Sequence, residues 1–127
     1  MTVRSLPITI GDEDLELRFE QNDVIRAESD YKIGYVQFFD RTLASLSLYR
    51  TLFYYGLKVR TRAGTLERRC KNKEEAGELV SLFLSEYYPE DLIEAVFYSF
   101  ICSGWMKDPA DVSVTASDAK PSEPSKN

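Results

Sequence analysis

The chain has 127 residues, of which 43% are hydrophobic and 29% charged, and its formal net charge at pH 7 is −5. This balance is typical of a globular protein with one core, and it excludes a chain that is unfolded throughout. No apolar run reaches the ~20 residues that a membrane-spanning helix needs. The negative charge also disfavours nucleic acid as the main partner.

The sequence contains no histidine. Its absence removes the most common general base, the Ser-His and Cys-His nucleophile arrangements and most zinc sites. Carboxylate chemistry stays open, so the missing histidine counts against an enzyme without excluding one. We expect a protein that works by binding other proteins, with no catalytic residue, no cofactor and no metal.

The two cysteines, Cys70 and Cys102, are separated by a whole predicted helix. A secreted scaffold of this size usually carries more cysteines, in even pairs. We therefore expect two free thiols, with Cys102 buried. Residues 1–7 lack the apolar centre of a signal peptide, so the sequence indicates a soluble protein of the cytoplasm.

Residues 6–19 alternate between apolar and polar side chains in two short stretches, which predicts a β-hairpin. Gly11 and Asp12 supply the turn, because both tolerate positive φ values. An isolated hairpin is marginal in water, so its apolar face should pack on helices. The carboxylates of Asp12, Glu13 and Asp14 are interpreted as a solvated turn, since calcium ligands normally alternate over a longer loop.

A first helix is predicted over about residues 22–33. Asn22 is a good N-cap, and Gly34 is expected to end the helix. The following segment, residues 35–39, is ambiguous between a helical turn and an extended connector.

A second helix is predicted over about residues 40–56, where apolar residues recur at mostly helical spacing. Asp40 can cap its start, and Gly56 suits the left-handed residue that often ends a helix. Residues 57–64 then read as a basic connector, with cations that complement the negative end of the helix dipole.

The last two helices, over about residues 73–87 and 89–103, have the clearest end signals. Asn72 is an N-cap for the first of them. Pro89 opens the second at a position where its missing N–H costs nothing, and Gly104 closes it. The very short link between them predicts a tight helical hairpin.

From Lys107 onward the chain is rich in Ser, Asp, Ala, Pro and Lys and contains no aromatic residue. Such a segment buries too little apolar area to offset the ~1–2 kcal/mol per residue of backbone ordering. We therefore predict one compact domain over residues 1–106 and a disordered tail over residues 107–127. The predicted fold class is α+β, mainly α, with an N-terminal β-hairpin packed on about four helices.

The cations are concentrated in residues 58–73, called here the basic segment. It carries seven cations against one acid, a net charge of +6, which leaves −11 on the rest of the chain. Three readings stay open: a solvated connector, a site for an acidic protein, and a nucleic-acid site, which interleaved aromatic residues would favour. The cations are Lys58, Arg60, Arg62, Arg68, Arg69, Lys71 and Lys73.

Aromatic residues occur in adjacent pairs, and neighbours on a helix point about 100° apart. One member of a pair can therefore reach the core while the other faces outward. Tyrosine and tryptophan are enriched at interface hot spots, although a small domain also fills its core with large residues. We favour an interface role for Tyr54, Tyr55 and Trp105, together with Arg60, Arg62, Arg68 and Arg69 of the basic segment.

The order of these patterns is characteristic. An apolar strand and a Gly-Asp turn precede LELRF at residues 15–19, and a helix follows; then come TLFYYGL at residues 51–57 and NKEEAGELV at residues 72–80. In this order the chain resembles the short tail-assembly chaperones of long-tailed bacteriophages and the related small tail-region proteins of gene transfer agents. The resemblance covers roughly residues 6–105.

The resemblance implies a non-enzymatic protein of the host cytoplasm that binds the tape-measure protein, keeps it soluble and helps to recruit tail-tube subunits. Such a chaperone is absent from the finished virion. Many such genes also make a longer form by ribosomal frameshifting, and a tail over residues 107–127 would suit a linker to that extension.

Two further interpretations and one hypothesis remain. The chain is alternatively a structural protein of the tail or its terminus, or a small phage regulator that binds a host protein through the basic segment. The opposite charges of the basic segment and the rest of the chain also suggest head-to-tail self-association, a contact that gives open filaments.

Overall fold

Four strands and four α-helices make up the part of the chain that the computed structural model describes, residues 4–107. In chain order they are β1 (Leu6–Ile10), β2 (Glu13–Leu17), α1 (Gln21–Tyr31), α2 (Leu46–Gly56), β3 (Leu57–Arg60), β4 (Leu66–Arg68), α3 (Lys73–Glu86) and α4 (Pro89–Cys102). The predicted α+β class with an N-terminal hairpin and four helices is confirmed. The tail predicted over residues 107–127 lies, from residue 108 on, outside the described residues.

The N-terminal hairpin folds in the register that its alternating pattern dictates. Strands β1 and β2 are antiparallel, with Leu6 opposite Leu17 and Ile8 opposite Leu15. Because side chains alternate between the two faces of a strand, these residues share the face that packs against the helices. Leu17 is fully buried there.

The predicted basic connector is a second β-hairpin, so that prediction is wrong. Strands β3 and β4 continue the sheet in the order β1-β2-β3-β4, and Gly64 turns the chain between them at φ +88°. Leu57 faces the core opposite Leu17 of β2, while Lys58 faces outward opposite Glu16. The high charge hid this period-two pattern, since the long cationic side chains occupy the outer face of the sheet.

The predicted second helix begins six residues late. Two short 3₁₀ turns, Tyr35–Phe39 and Arg41–Leu43, join α1 to α2. Asp40 caps the second of these turns, and Ser45 is the N-cap of α2, because its hydroxyl accepts the N–H of Leu48 at 3.1 Å.

The ends of the first helix also differ from the prediction. Glu20, and not Asn22, is the N-cap of α1, and its N–H donates to the carboxylate of Asp23 at 3.0 Å. The left-handed residue at the end is Lys32 (φ 62°), two positions before Gly34.

Gly56 is needed for close packing and not for a left-handed turn. It is the last residue of α2 and is absent from the positive-φ residues of the described chain. A Cβ atom at this position would lie only 2.2 Å from Cζ of Phe19, whose ring is fully buried. The glycine therefore lets the end of α2 rest directly on this ring.

The last two helices begin as their sequence signals predict. The Asn72 side chain accepts the N–H of Glu75 at 2.8 Å, and Pro89 is the first residue of α4. Gly104 adopts φ +90° just beyond the end of α4. The link between α3 and α4 is two residues long, Tyr87 and Tyr88, but α3 packs mainly on α2 and α4 mainly on the N-terminal hairpin, so the predicted tight helical hairpin is wrong.

Both cysteines are free, as predicted, but the buried one is Cys70. Cys102 is partly exposed because the buried stripe of α4 ends at Phe100, and a residue two positions later points about 200° away around the helix. Burial, followed by the negative charge of Glu75, raises the pKa of the Cys70 thiol to about 11.

We expect Cys102 to react with an alkylating reagent at pH 8 while Cys70 stays unmodified. At that pH only about one Cys70 side chain in a thousand is thiolate, and its sulfur is screened from the reagent. Peptide mass mapping after a timed reaction measures both sites. Faster modification of Cys70 than of Cys102 in the folded protein would contradict the assignment.

The raised pKa of the Cys70 thiol also predicts how the free energy of unfolding depends on pH. The folded state holds the Cys70 proton more tightly than the unfolded chain. The resulting contribution to the free energy of unfolding is therefore fully present below the ordinary thiol pKa. The free energy of unfolding should therefore fall as the pH rises toward 11. Urea titrations of the wild type and of Cys70→Ala at several alkaline pH values separate this contribution from those of other groups.

Candidate protein-binding surface

The fold brings together three of the seven side chains predicted to bind a partner. Tyr54 and Tyr55 lie on the last turn of α2, half-buried, with ring centroids 4.8 Å apart. The guanidinium carbon of Arg68, on β4, lies 5.0 Å from the Tyr54 ring centroid and 5.2 Å from that of Tyr55. Both distances are within the range of a cation–π interaction.

Ionic contacts tie this cluster to the neighbouring elements. The Tyr55 hydroxyl donates to Asp30 of α1 at 3.0 Å, and Asp30 also pairs with Lys73 at the start of α3. Lys73, and to a lesser degree Tyr55, lower the pKa of Asp30, while burial and the Asp30 hydrogen bond raise the pKa of Tyr55. The Tyr55 side chain is thus in contact with both α1 and β4.

Beneath the cluster lies an ion pair that the sequence did not reveal. Lys58 and Asp23 are 8% and 5% exposed, and the Lys58 Nζ donates to Asp23 Oδ2 at 2.8 Å. Asp23 Oδ1 also accepts from Arg68 at 3.4 Å. Two cations of the sheet that read as solvated are thus directed at one carboxylate of α1.

Arg60 and Arg69 are each held by carboxylates of the same chain. Arg60 makes a two-point contact with Glu16 at 2.6 and 2.8 Å, which lowers the pKa of Glu16 and raises that of Arg60. Arg69 makes a two-point contact with Glu13 at 2.7 and 3.1 Å and reaches Glu75 at 3.1 Å. Much of the charge of the basic segment is therefore paired internally.

The other two predicted partner-binding residues lie apart from this cluster. Arg62 is exposed in the turn between β3 and β4 and is in no ion pair within residues 4–107. Trp105 lies beyond the end of α4, half-buried, and its indole N–H donates to the carbonyl of Phe19 at 2.6 Å. Its ring is in edge contact with Tyr35, 6.5 Å between centroids.

A recess between α2 and α3, called here the α2–α3 recess, was not predicted. It holds about 210 Å³ and is lined by Leu46, Ser47, Arg50, Gly77, Val80 and Ser81. Small-molecule sites usually measure ~300–1,000 Å³, so this recess has room for one or two side chains of a partner. A glycine inside a helix costs about 1 kcal/mol relative to alanine, and Gly77 was therefore an available signal.

The recess and the tyrosine cluster lie along one face of α2. Leu46, Arg50 and Tyr54 follow one another at intervals of four residues, which places them on the same side of the helix. Leu46 is 64% exposed, and Arg50 is in no ion pair among the described residues. This face therefore carries an exposed apolar side chain and a cation, and Asp30 is close enough for Arg50 to lower its pKa.

Comparisons with protein-family models, with curated proteins and with solved structures found no match to this chain. Within residues 4–107, no three His, Cys, Asp or Glu side chains come together in a way that could hold a metal ion. The helices in that same part of the chain are all too short or too polar to cross a membrane.

Other large apolar side chains are also exposed, and single ones are normal on a protein surface. Leu46 differs from them because it borders a recess and is followed along the helix by an unpaired cation and an aromatic ring. The others are Ile25, Val36, Leu82, Tyr87, Tyr88 and Tyr98.

Proposed function

We propose that this chain is a non-enzymatic tail-assembly chaperone of a long-tailed phage, which binds the tape-measure protein in the host cytoplasm and keeps it soluble. It also helps to recruit tail-tube subunits to the bound protein. The observation that carries the proposal is the exposed face of α2, where Leu46 and Arg50 border the α2–α3 recess. The resemblance in sequence supplies the identity of the partner.

The partner's chemistry matches this face. A tape-measure protein is a long helical protein with apolar stripes, and such stripes aggregate unless they are covered. A groove between two helices is one of the common ways to bind an amphipathic helix, whose apolar residues recur every three or four positions. A recess that admits single side chains suits a chaperone that must later release its partner.

Co-expression tests the proposal. The full chain is produced together with the longest coiled-coil-like protein encoded beside its gene, and the solubility and co-purification of that protein are measured. We expect the long protein to be insoluble alone, and soluble and co-purified when the chain is present. A second aggregating protein of unrelated sequence serves as the specificity control.

Each result of this test has a definite meaning. A long protein that stays insoluble and does not co-purify counts against the chaperone function. Detection of the chain in purified particles, in stoichiometric amount, would favour the alternative of a structural tail or tail-terminus protein.

The internal pairing of the basic segment changes the test of self-association and of the regulator alternative. Reversing the charge of Arg68 or Arg69 would disrupt contacts with Asp23 or Glu13 and so disturb the fold itself. Arg62→Glu changes an exposed charge without this effect. Unchanged sedimentation of this variant would count against filaments driven by the basic segment, and unchanged retention of a host partner would count against the regulator.

A further inference from the structure

The residues that line the α2–α3 recess allow a partner helix to approach closely. Ser47, Gly77 and Ser81 are small, and the distance between two packed helices depends on the size of the side chains at their contact. A Cβ atom at position 77 would lie 3.4 Å from Cδ of Arg50, an ordinary contact. The glycine is therefore not required by packing inside the chain, and it lines the recess together with the aliphatic part of Arg50.

The recess also has a charge preference. Arg50 lines it and is in no ion pair within residues 4–107, and a guanidinium binds a carboxylate through two parallel hydrogen bonds. Tyr54 lies one helical turn beyond Arg50 on α2, a rise of about 6 Å. The guanidinium of Arg68, on β4, lies over its ring, 5.0 Å from the centroid. The Arg68 side chain is 30% exposed, and its contact with Asp23 is long, 3.4 Å. Two cations thus follow each other along one face.

We infer that the α2–α3 recess receives an acidic amphipathic helix of the partner protein, with one large apolar side chain seated against Leu46 and Val80. A carboxylate of that helix binds Arg50, and a second one, a turn away, faces Arg68. This inference rests on the proposed function and specifies which segments of a long helical partner are bound. Segments with acidic residues beside the apolar stripe are preferred over basic ones.

A twofold dimer of this chain fits the recess less well. A twofold dimer places the same patch on both sides of the interface, so Arg50 and Arg68 of one copy would approach Arg50 and Arg68 of the other. Like charges brought together at an interface disfavour that pairing.

The test uses the full chain and two fluorescein-labelled peptides. One is an amphipathic helix with leucine at positions i, i+3, i+4 and i+7 flanked by glutamate; its twin carries lysine in place of every glutamate. Fluorescence anisotropy measures both affinities at two salt concentrations. We expect the acidic peptide to bind at least about tenfold more tightly than its basic twin, with a preference that weakens in salt.

Two pairs of variants locate the site. Gly77→Leu fills the recess, whereas Gly77→Ala leaves most of it open; Arg50→Glu reverses the charge inside, whereas Arg62→Glu makes the same change of charge outside. We expect Gly77→Leu and Arg50→Glu to weaken binding of the acidic peptide at least about tenfold, and the other two by less than about twofold. Far-UV circular dichroism and a thermal melt confirm that each variant is folded.

The failure of this inference and the failure of the proposed function are distinguishable. Equal binding of the two peptides, no binding of the acidic one, or undiminished binding by Gly77→Leu overturns the recess as the site. A concentration-dependent dimer that Gly77→Leu abolishes also overturns it, since a second copy then occupies the recess. If the wild type and Gly77→Leu both rescue the long protein in co-expression, the chaperone function stands and the recess does not.

Discussion

Gly56→Ala should lower the free energy of unfolding by about 3 kcal/mol, because the added methyl group has no space. Its carbon would lie 2.2 to 2.6 Å from atoms of the Phe19 ring. That ring cannot retreat: it is fully buried and packs on Phe100, 4.6 Å between centroids. The backbone of Phe19 is also held on both sides, by Ser103 at its N–H and by Trp105 at its carbonyl.

Urea denaturation followed by circular dichroism measures this loss, and Gly77→Ala is the matched control. The same methyl group inside α3 meets only the flexible side chain of Arg50, at 3.4 Å. Since alanine is the better helix former, this variant should gain about 0.5–1 kcal/mol. If Gly56→Ala and Gly77→Ala both lowered, or both raised, the free energy of unfolding, the packing argument would be contradicted.

Asp23→Ala should destabilise the fold by about 3–5 kcal/mol, because it leaves Lys58 buried without a counter-charge. The carboxylate of Asp23 accepts hydrogen bonds from Lys58 at 2.8 Å and from the N–H of Glu20 at 3.0 Å, and it also faces Arg68. The substitution therefore removes an ion pair and a helix cap together. Water cannot easily replace the carboxylate, since both partners of the ion pair are more than nine-tenths buried.

A double-mutant cycle with Lys58→Met tests this explanation. Removing both charges should recover much of the stability lost in Asp23→Ala, because no buried charge is then left alone. Lys73→Ala, which removes a partly exposed partner of Asp30, should cost no more than about 1 kcal/mol. Equal losses for Asp23→Ala and Lys73→Ala would show that burial does not govern the effect.

Local chemistry was sufficient for much of the fold. The alternation over residues 6–19, the side chain of Asn72 and the ring of Pro89 each act within a few residues of their own position. Each favours its local structure before a packing partner is specified, and the hairpin and the starts of α3 and α4 could therefore be predicted from the sequence. The resemblance to tail-assembly chaperones is also a property of the sequence, and it remains a prediction.

Where a residue suits two local structures equally well, its neighbours in the fold determine which of them forms. Gly56 read as a left-handed helix end, but the ring of Phe19, remote in sequence, accounts for it. Lys58 and Arg68 read as parts of a solvated connector, but Lys58 pairs with β2 and Arg68 with Lys58, so both are strand residues, and Asp23 of α1 binds both cations. The sequence around a lysine or arginine does not indicate whether water or a carboxylate will surround its charge.

The candidate surface was likewise predicted in part from the sequence and decided in part by the tertiary structure. The sequence by itself determined that two adjacent tyrosines precede a run of basic residues, and this was enough to place Tyr54, Tyr55 and Arg68 among the seven candidates. Only the tertiary structure decided which of the arginines are paired internally and that a recess opens between α2 and α3. A recess is a property of two surfaces placed side by side, and its small residues leave no apolar or charged pattern in the sequence of either helix.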